Sequence, residues 1–266
     1  MEMIQYAQVK NEVWRLLHID LNNYKSEQMC RRLDSWLVRS NNPNWNHYFQ
    51  RLQSEPRELE KFRNYLTINV SEFFRDEDRW QNLKDSTLPG LLKEAQRLRP
   101  GQSGLRVWSA GCSNGQEAYT LAMLLEEMAP AGKHQIIATD LDRAALKKAC
   151  DRGPYSAEDI AKMPAERKHR FFEPGGPPYF VAAKTATKVT FREHDMLLDP
   201  FDTNFDLIVC RNVIIYFTNE AKMELYKRFL AALRPGGTLF VGGTEIIPHP
   251  AEIGFRSQGI SLYTRI

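Results

Sequence analysis

The chain has 266 residues, 42% of them hydrophobic and 26% charged, proportions of a globular protein that exclude a disordered or fibrous chain. The length suits one large domain, or a catalytic domain with a small companion. Thirty-six Lys and Arg against 33 Asp and Glu leave a net charge of +3, too even to mark a nucleic-acid binder by charge alone. The four cysteines (Cys30, Cys112, Cys150 and Cys210) are far apart, which excludes a disulfide scaffold and a zinc finger and points to a reducing compartment. No apolar run approaches the roughly 20 residues of a membrane span, and the opening MEMIQYAQVKNEVW lacks the form of a signal peptide. The six histidines show no metal-ligand spacing. A soluble cytoplasmic protein without a metal is expected.

Residues 1–66 read as helical. Tyr6, Val9, Val13, Leu16 and Leu17 recur at helical spacing, and Met29, Leu33, Trp36 and Leu37 repeat the pattern. Asn41, Asn42 and Pro43 break that second helix, and a third runs from about Glu55 to Tyr65 with Pro56 in its first turn. From about residue 104 short apolar runs alternate with helical patterns. Strands are expected at Leu105–Ala110, Gln135–Thr139, Lys188–Glu193, Phe205–Cys210 and Thr238–Val241. Helices are expected at Gln116–Met128, Ala144–Cys150 and Asn219–Leu233. This alternation predicts an α/β fold with a doubly wound, mostly parallel sheet. The turn cluster Glu173–Pro178 interrupts the rhythm and predicts a small antiparallel β insertion over Phe171–Phe191.

The most informative segment is VWSAGCSNGQEAYTLAMLL (107–125), in which Gly111 and Gly115 bracket a tight strand-to-helix turn. Such a turn lets a ligand approach the backbone and aims helix N–H groups at negative charge. Gly111–Gly115 also fits G-x-S-x-G, the hydrolase nucleophile elbow, with Asp206 and His249 following in triad order. The helical upstream segment offers no oxyanion-hole loop, however, so Ser113 reads as a loop hydroxyl. Asp140 ends the next strand 29 residues after Gly111, where a carboxylate can accept both ribose hydroxyls. Asp142 reads as the N-cap of the following helix. That spacing exceeds the ~20 residues of NAD-binding folds, and no basic residue in the turn meets a pyrophosphate. A nucleoside without phosphates, such as S-adenosylmethionine, fits better.

In YKSEQMCRRLDSWL (24–37), INVSEFFRD (68–76), VWSAGCSNGQEAYTLAM (107–123), IIATDLDRAALKKACDRGPY (136–155), FDLIVCRNVIIYF (205–217) and LRPGGTLFVGGTE (233–245), in that order, the chain resembles the CheR-type chemoreceptor glutamate O-methyltransferases. The resemblance implies a Rossmann-like S-adenosylmethionine methyltransferase sheet with a small antiparallel β insertion and an N-terminal all-α domain. It divides the chain into a receptor-docking helical domain (1–66), a linker closing over the cofactor (67–103) and a methyltransferase domain (104–266) with a β-subdomain at about 171–191. By the same resemblance Asn69, Ser71 and Arg75 cap the cofactor, and Gly111, Ser113 and Gly115 surround its methionine part. Glu117 meets its amino-acid end, Asp140 its ribose, and Asp195 and Met196 its adenine. Arg211 and Asn212 lie at the methyl-transfer centre, with Arg75 and Tyr216 as catalytic residues. Gln116 stands where the family often has a glutamate, and Asp195 where it often has asparagine.

The implied reaction carries a methyl group to glutamates on the cytoplasmic helices of methyl-accepting receptors, yielding S-adenosylhomocysteine. Lys25, Arg31, Arg32 and Arg39 are the residues expected to meet the receptor. No nucleic-acid partner, no membrane insertion and a monomer are expected. Two other functions compete. Methylation of a nucleic-acid amine calls for an Asn/Asp-Pro-Pro-Tyr/Phe motif after the fourth strand, but Arg211-Asn212-Val213-Ile214 stands there. The other is a methyltransferase-like protein that acts on another protein, or that binds the cofactor as a sensor or adaptor.

Overall fold

The computed structural model describes residues 3–101 and 104–266. The chain divides into two compact units, one comprising residues 1–68 with 216–223, the other 69–215 with 224–266.

The first unit is built on helices α1 (Met3–Leu17), α2 (Ser26–Arg39), α3 (Trp45–Ser54) and α4 (Pro56–Leu66). Each buries one apolar stripe: Val9, Val13 and Leu17 from α1, Met29 and Leu33 from α2, Phe62 and Leu66 from α4. Helix α3 was not expected from the sequence. Pro43 does end α2's neighbourhood, but Asn44 then starts a new helix, its side chain accepting the His47 N–H at 2.9 Å. Helix α3 supplies Trp45, Tyr48 and Phe49 to an aromatic cluster with Trp36, Phe62 and Tyr65. Trp36 Nε1 donates to the Tyr48 hydroxyl at 2.6 Å, so the cluster buries rings without stranding that indole N–H. Segment 216–218 joins this unit by backbone pairing: Lys25 N donates to Tyr216 O at 3.0 Å and Thr218 N to Asn23 O at 2.9 Å.

The second unit opens with α5 (Glu77–Asn82) and α6 (Leu88–Leu98), joined by a widened helical turn over Leu83–Thr87. Trp80, Leu83, Leu88, Leu91 and Ala95 enter the core of the sheet domain. Most of the stretch expected as a linker is therefore packed structure. Then follow β1 (Arg106–Ala110), α7 (Gln116–Met128), β2 (Gln135–Asp140), α8 (Arg143–Cys150), α9 (Ala165–Phe171), α10 (Ala183–Ala186) and β3 (Val189–Glu193). The chain ends through β4 (Phe205–Cys210), α11 (Asn219–Ala232), β5 (Leu233–Val241), α12 (Pro250–Ile253), β6 (Phe255–Ser257) and β7 (Leu262–Arg265).

The seven strands form one sheet in the order β3-β2-β1-β4-β5-β7-β6. The first five are parallel, and β7 and β6 extend the edge antiparallel. All six residues of β4 are buried, as a central strand covered on both faces requires. The insertion's antiparallel pairing both begins and ends earlier than the expected bounds. Two antiparallel bridges, Tyr155 with Tyr179 and Phe172 with Val181, form its β pairing, and Val189–Phe191 already belong to the parallel strand β3. Among the described residues, no helix is long and apolar enough to cross a membrane.

Candidate active site

Strand order reverses between β1 and β4, which lie side by side and send their chains to opposite halves of the sheet. In such sheets a ligand crevice opens beyond the carboxyl ends of the strands at the reversal. The turn after β1 is shaped for it. Gly111 and Gly115 hold φ of 82° and 89°, a region open to glycine. A Cβ on Gly111 would come within 2.6 Å of Val213, and one on Gly115 within 2.8 Å of Ala149. Ser113, at φ 50°, is held there because its N–H donates to Asp140 Oδ2 at 2.7 Å. Gly115 then starts α7, whose first-turn N–H groups end at the crevice.

Carboxylates dominate this end of the sheet. Asp140 accepts the Ser113 N–H on one oxygen and the Asp142 N–H on the other at 2.9 Å. Burial lifts its pKa to about 6, against those stabilising bonds. Glu117 accepts from the Ser109 hydroxyl at 2.8 Å, and burial pushes its pKa to about 7 against the attraction of Arg211. Asp142 caps α8 by accepting the Ala145 N–H at 2.9 Å. Asn69 spans two of these groups, accepting from Ser113 Oγ at 2.9 Å and donating to Asp142 at 2.5 Å.

A second cluster surrounds Arg211. This side chain is 2% exposed and donates to Asp76 Oδ2 at 2.8 Å and to the Arg75 carbonyl at 3.0 Å. It lies over the Trp80 and Phe240 rings, 5.1 and 4.9 Å from their centroids. Through these two bonds Arg211, expected at the methyl-transfer centre, also holds the loop that carries Arg75. Asp76 being taken by Arg211, Arg75 donates to the Val70 carbonyl at 2.9 Å instead. Asn212 follows at φ 60° with its Oδ1 buried and unpartnered.

Asp195 accepts the Leu197 N–H at 2.8 Å within its own turn. The Met196 methyl lies 3.5 Å from a Cβ built on Gly111, so this turn borders the glycine loop. Ser71 contributes its carbonyl, which accepts from Gln116 Nε2 at 3.3 Å. Tyr216 closes a short 3-10 turn, Ile214–Tyr216, and is counted with the helical unit.

Other sequence expectations change. Arg32 is not a free docking charge: it donates to the Tyr65 carbonyl and lies over the Tyr65 ring at 4.9 Å. Arg31 pairs with Glu27 on an exposed face. The hydrolase triad is excluded by position. Asp206 is fully buried at the start of β4 and binds Arg99 and Arg234, each at 2.6 Å, while the His249 side chain is 79% exposed.

Three residues take supporting roles that the sequence alone does not assign. Gln116 donates to both Ser71 O and Asp159 Oδ1, which explains why an amide suits a position where a carboxylate would face Asp159. Arg228 holds the 196–199 turn through the Met196 and Leu197 carbonyls at 2.7 and 3.0 Å and stacks on Phe201. Glu245 accepts backbone N–H groups from two loops. Gln116 and Arg228 act across more than 30 residues of sequence, and Glu245 across 33 to Asn212, so their partners carry no local signal.

Two half-buried carboxylates of raised pKa and the orphaned Asn212 Oδ1 offer acceptors for hydroxyl and ammonium donors. The 111–115 turn carries no basic side chain, so this set of acceptors fits S-adenosylmethionine and its by-product better than a nucleotide with phosphates. Among the described residues, no group of His, Cys, Asp and Glu side chains is placed to hold a metal ion.

Comparison with known proteins agrees. Residues 69–261 match the family model of the CheR methyltransferase S-adenosylmethionine-binding domain, and residues 4–67 match that of the CheR all-alpha domain. The chain is 39% identical over 260 residues to a chemotaxis protein methyltransferase of Listeria monocytogenes, covering 98% of this chain and 97% of that one. It is 33% identical to chemotaxis protein methyltransferase 2 of Pseudomonas aeruginosa, covering 97% and 92%. To the chemotaxis protein methyltransferase of Escherichia coli it is 30% identical, covering 97% and 89%. With the glycine turn, the strand-end carboxylates and both domains accounted for, the chain belongs to the CheR methyltransferase family, and its cofactor is S-adenosylmethionine.

Proposed function

We propose that the protein methylates glutamate side chains of bacterial chemoreceptors, forming methyl esters. The observation that carries this reading is Arg75. Its neighbour Asp76 is drawn away by Arg211, which leaves a guanidinium bonded to the Val70 carbonyl rather than to a carboxylate. Arg75 is also close enough to Glu117 to act on its ionisation. An arginine so placed suits an acidic substrate, which it can orient by charge-assisted hydrogen bonds.

S-adenosylmethionine, when bound, supplies a methyl group on a positively charged sulfur. Asp140 would hold its ribose and Glu117 its amino-acid end, with Asn69 and Ser113 closing the wall between them. Asp195 and Met196 would border the adenine. A glutamate, with an ordinary pKa of about 4.3, is ionised at neutral pH and needs no strong base. The chain's own contribution is then alignment and exclusion of water. Arg75 orients the incoming carboxylate without neutralising it by full transfer of a proton. Tyr216, by family resemblance, adds a hydroxyl contact. At the start of α2 and along it, Lys25, Arg31 and Arg39 remain the cations proposed to meet an acidic receptor helix, since Arg32 bonds the Tyr65 carbonyl.

The test incubates the protein with radiolabelled S-adenosylmethionine and membranes bearing chemoreceptors. Label on the receptor that mild base releases supports esterification. Base-stable label, or label on nucleic acid, contradicts it. The competing sensor or adaptor reading predicts cofactor binding with no transfer to any receptor.

A further inference from the structure

The loop Arg211–Ile215 follows β4 on the reacting side of the crevice. Asn212 sits in the left-handed region at φ 60°, which asparagine tolerates better than most non-glycine residues. Val213 lies against Gly111, so a shift of this loop would move the wall of the glycine turn. One buried side chain holds both ends of the loop. Glu245, 5% exposed, accepts the Asn212 N–H at 2.8 Å and the Gly242 N–H at 2.6 Å on Oε2. Its Oε1 accepts the Ile215 N–H at 3.2 Å. Its own N–H donates to the Gly242 carbonyl at 3.0 Å, closing a tight turn after β5. A Cβ on Gly242 would come within 2.6 Å of the carboxylate and 3.0 Å of Asn212 N, so the two loops meet with no room for a side chain.

We infer that Glu245 is a positioning residue for methyl transfer, its carboxylate setting the Arg211–Ile215 loop by gathering backbone N–H groups from the turns after β4 and β5. It touches neither cofactor nor substrate by this account. It acts through Arg211, which holds the Arg75 loop, and through Val213, which abuts the cofactor turn. The inference rests on the reading of this loop as the wall of the methyl-transfer centre.

Glu245→Gln is the informative variant. Its carbonyl oxygen can keep the Asn212 and Gly242 N–H groups, but its amide N–H now faces that of Ile215. Receptor methylation should show kcat reduced about 10-fold, with KM for S-adenosylmethionine within threefold of wild type, in a protein that melts lower but stays folded at the assay temperature. Glu245→Ala, which releases all three N–H groups, should lose more. A Gln variant with wild-type kcat overturns the inference, as does a loss in which kcat falls only in step with cofactor affinity. Hydrogen exchange on the wild-type protein provides an independent reading that needs neither a folded variant nor the receptor. The Asn212, Ile215 and Gly242 amides should exchange at least about 100-fold more slowly than in an unstructured peptide. Rapid exchange at these three positions overturns the inference whatever the substrate, whereas inactive wild-type enzyme with protected amides counts against the receptor reading alone.

Discussion

Cofactor affinity should depend on pH in a way that follows from two carboxyl groups. Glu117 has its pKa pushed to about 7 and Asp140 to about 6, both chiefly by burial. A cofactor that donates hydrogen bonds to them binds best when both are ionised. Lowering the pH from 8 to 6 takes Glu117 from about nine-tenths ionised to about one-tenth and Asp140 to about half. If binding requires both charges, the apparent Kd for S-adenosylhomocysteine should rise about 20-fold over that interval. Titration calorimetry across the range measures it. Glu117→Gln should weaken binding at pH 8 and leave only the smaller Asp140 step. The unliganded protein should respond in the opposite sense. Both groups hold protons more tightly folded than unfolded, so their contribution to stability is fully present below the unfolded carboxyl pKa of about 4 and declines as pH rises through 6 and 7. A Kd that is flat between pH 6 and 8 would refute the assignment of these two carboxylates to the cofactor.

Gln116→Glu should lower stability by about 1–3 kcal/mol, because it removes the donor to Ser71 O and sets a carboxylate against Asp159; thermal melts with and without S-adenosylhomocysteine measure the loss. Arg32→Ala should cost about 1–2 kcal/mol through its lost packing and hydrogen bond at Tyr65, read from denaturant midpoints. Reversing Lys25 and Arg39 together should raise the KM for receptor with cofactor affinity unchanged; identical receptor kinetics would remove these two residues from the docking surface. Asp206→Ala should destabilise by roughly 3–5 kcal/mol, since it leaves Arg234 and Arg99 without their buried partner, while folded enzyme keeps its cofactor affinity.

The parallel core was legible because each strand is apolar throughout and bounded by helical periodicity. The bounds expected for Gln116–Met128 and Phe205–Cys210 coincide with α7 and β4. The family resemblance implies a linker where α5 and α6 stand, yet Trp80, Leu83, Leu88 and Leu91 enter the core of the sheet domain. The strands β6 and β7 are short, and their pairing comes from tertiary contact rather than a clear alternation. At the site, Asp140 and the glycine turn announced themselves by position after a strand. Arg211 did not. Its partner Asp76 lies 135 residues away, so nothing in the sequence signals that this guanidinium also holds the Arg75 loop. Nor does a basic helix face give any sign that Arg32 folds back onto the Tyr65 carbonyl.

Peptide mass spectrometry of a chemoreceptor incubated with the enzyme and S-adenosylmethionine tests the central claim most directly. The account predicts an added methyl on specific glutamate side chains, removed by mild base and absent when Arg75→Ala enzyme is used at the same concentration. A methyl found on lysine, on a backbone terminus or on no receptor residue at all would contradict it.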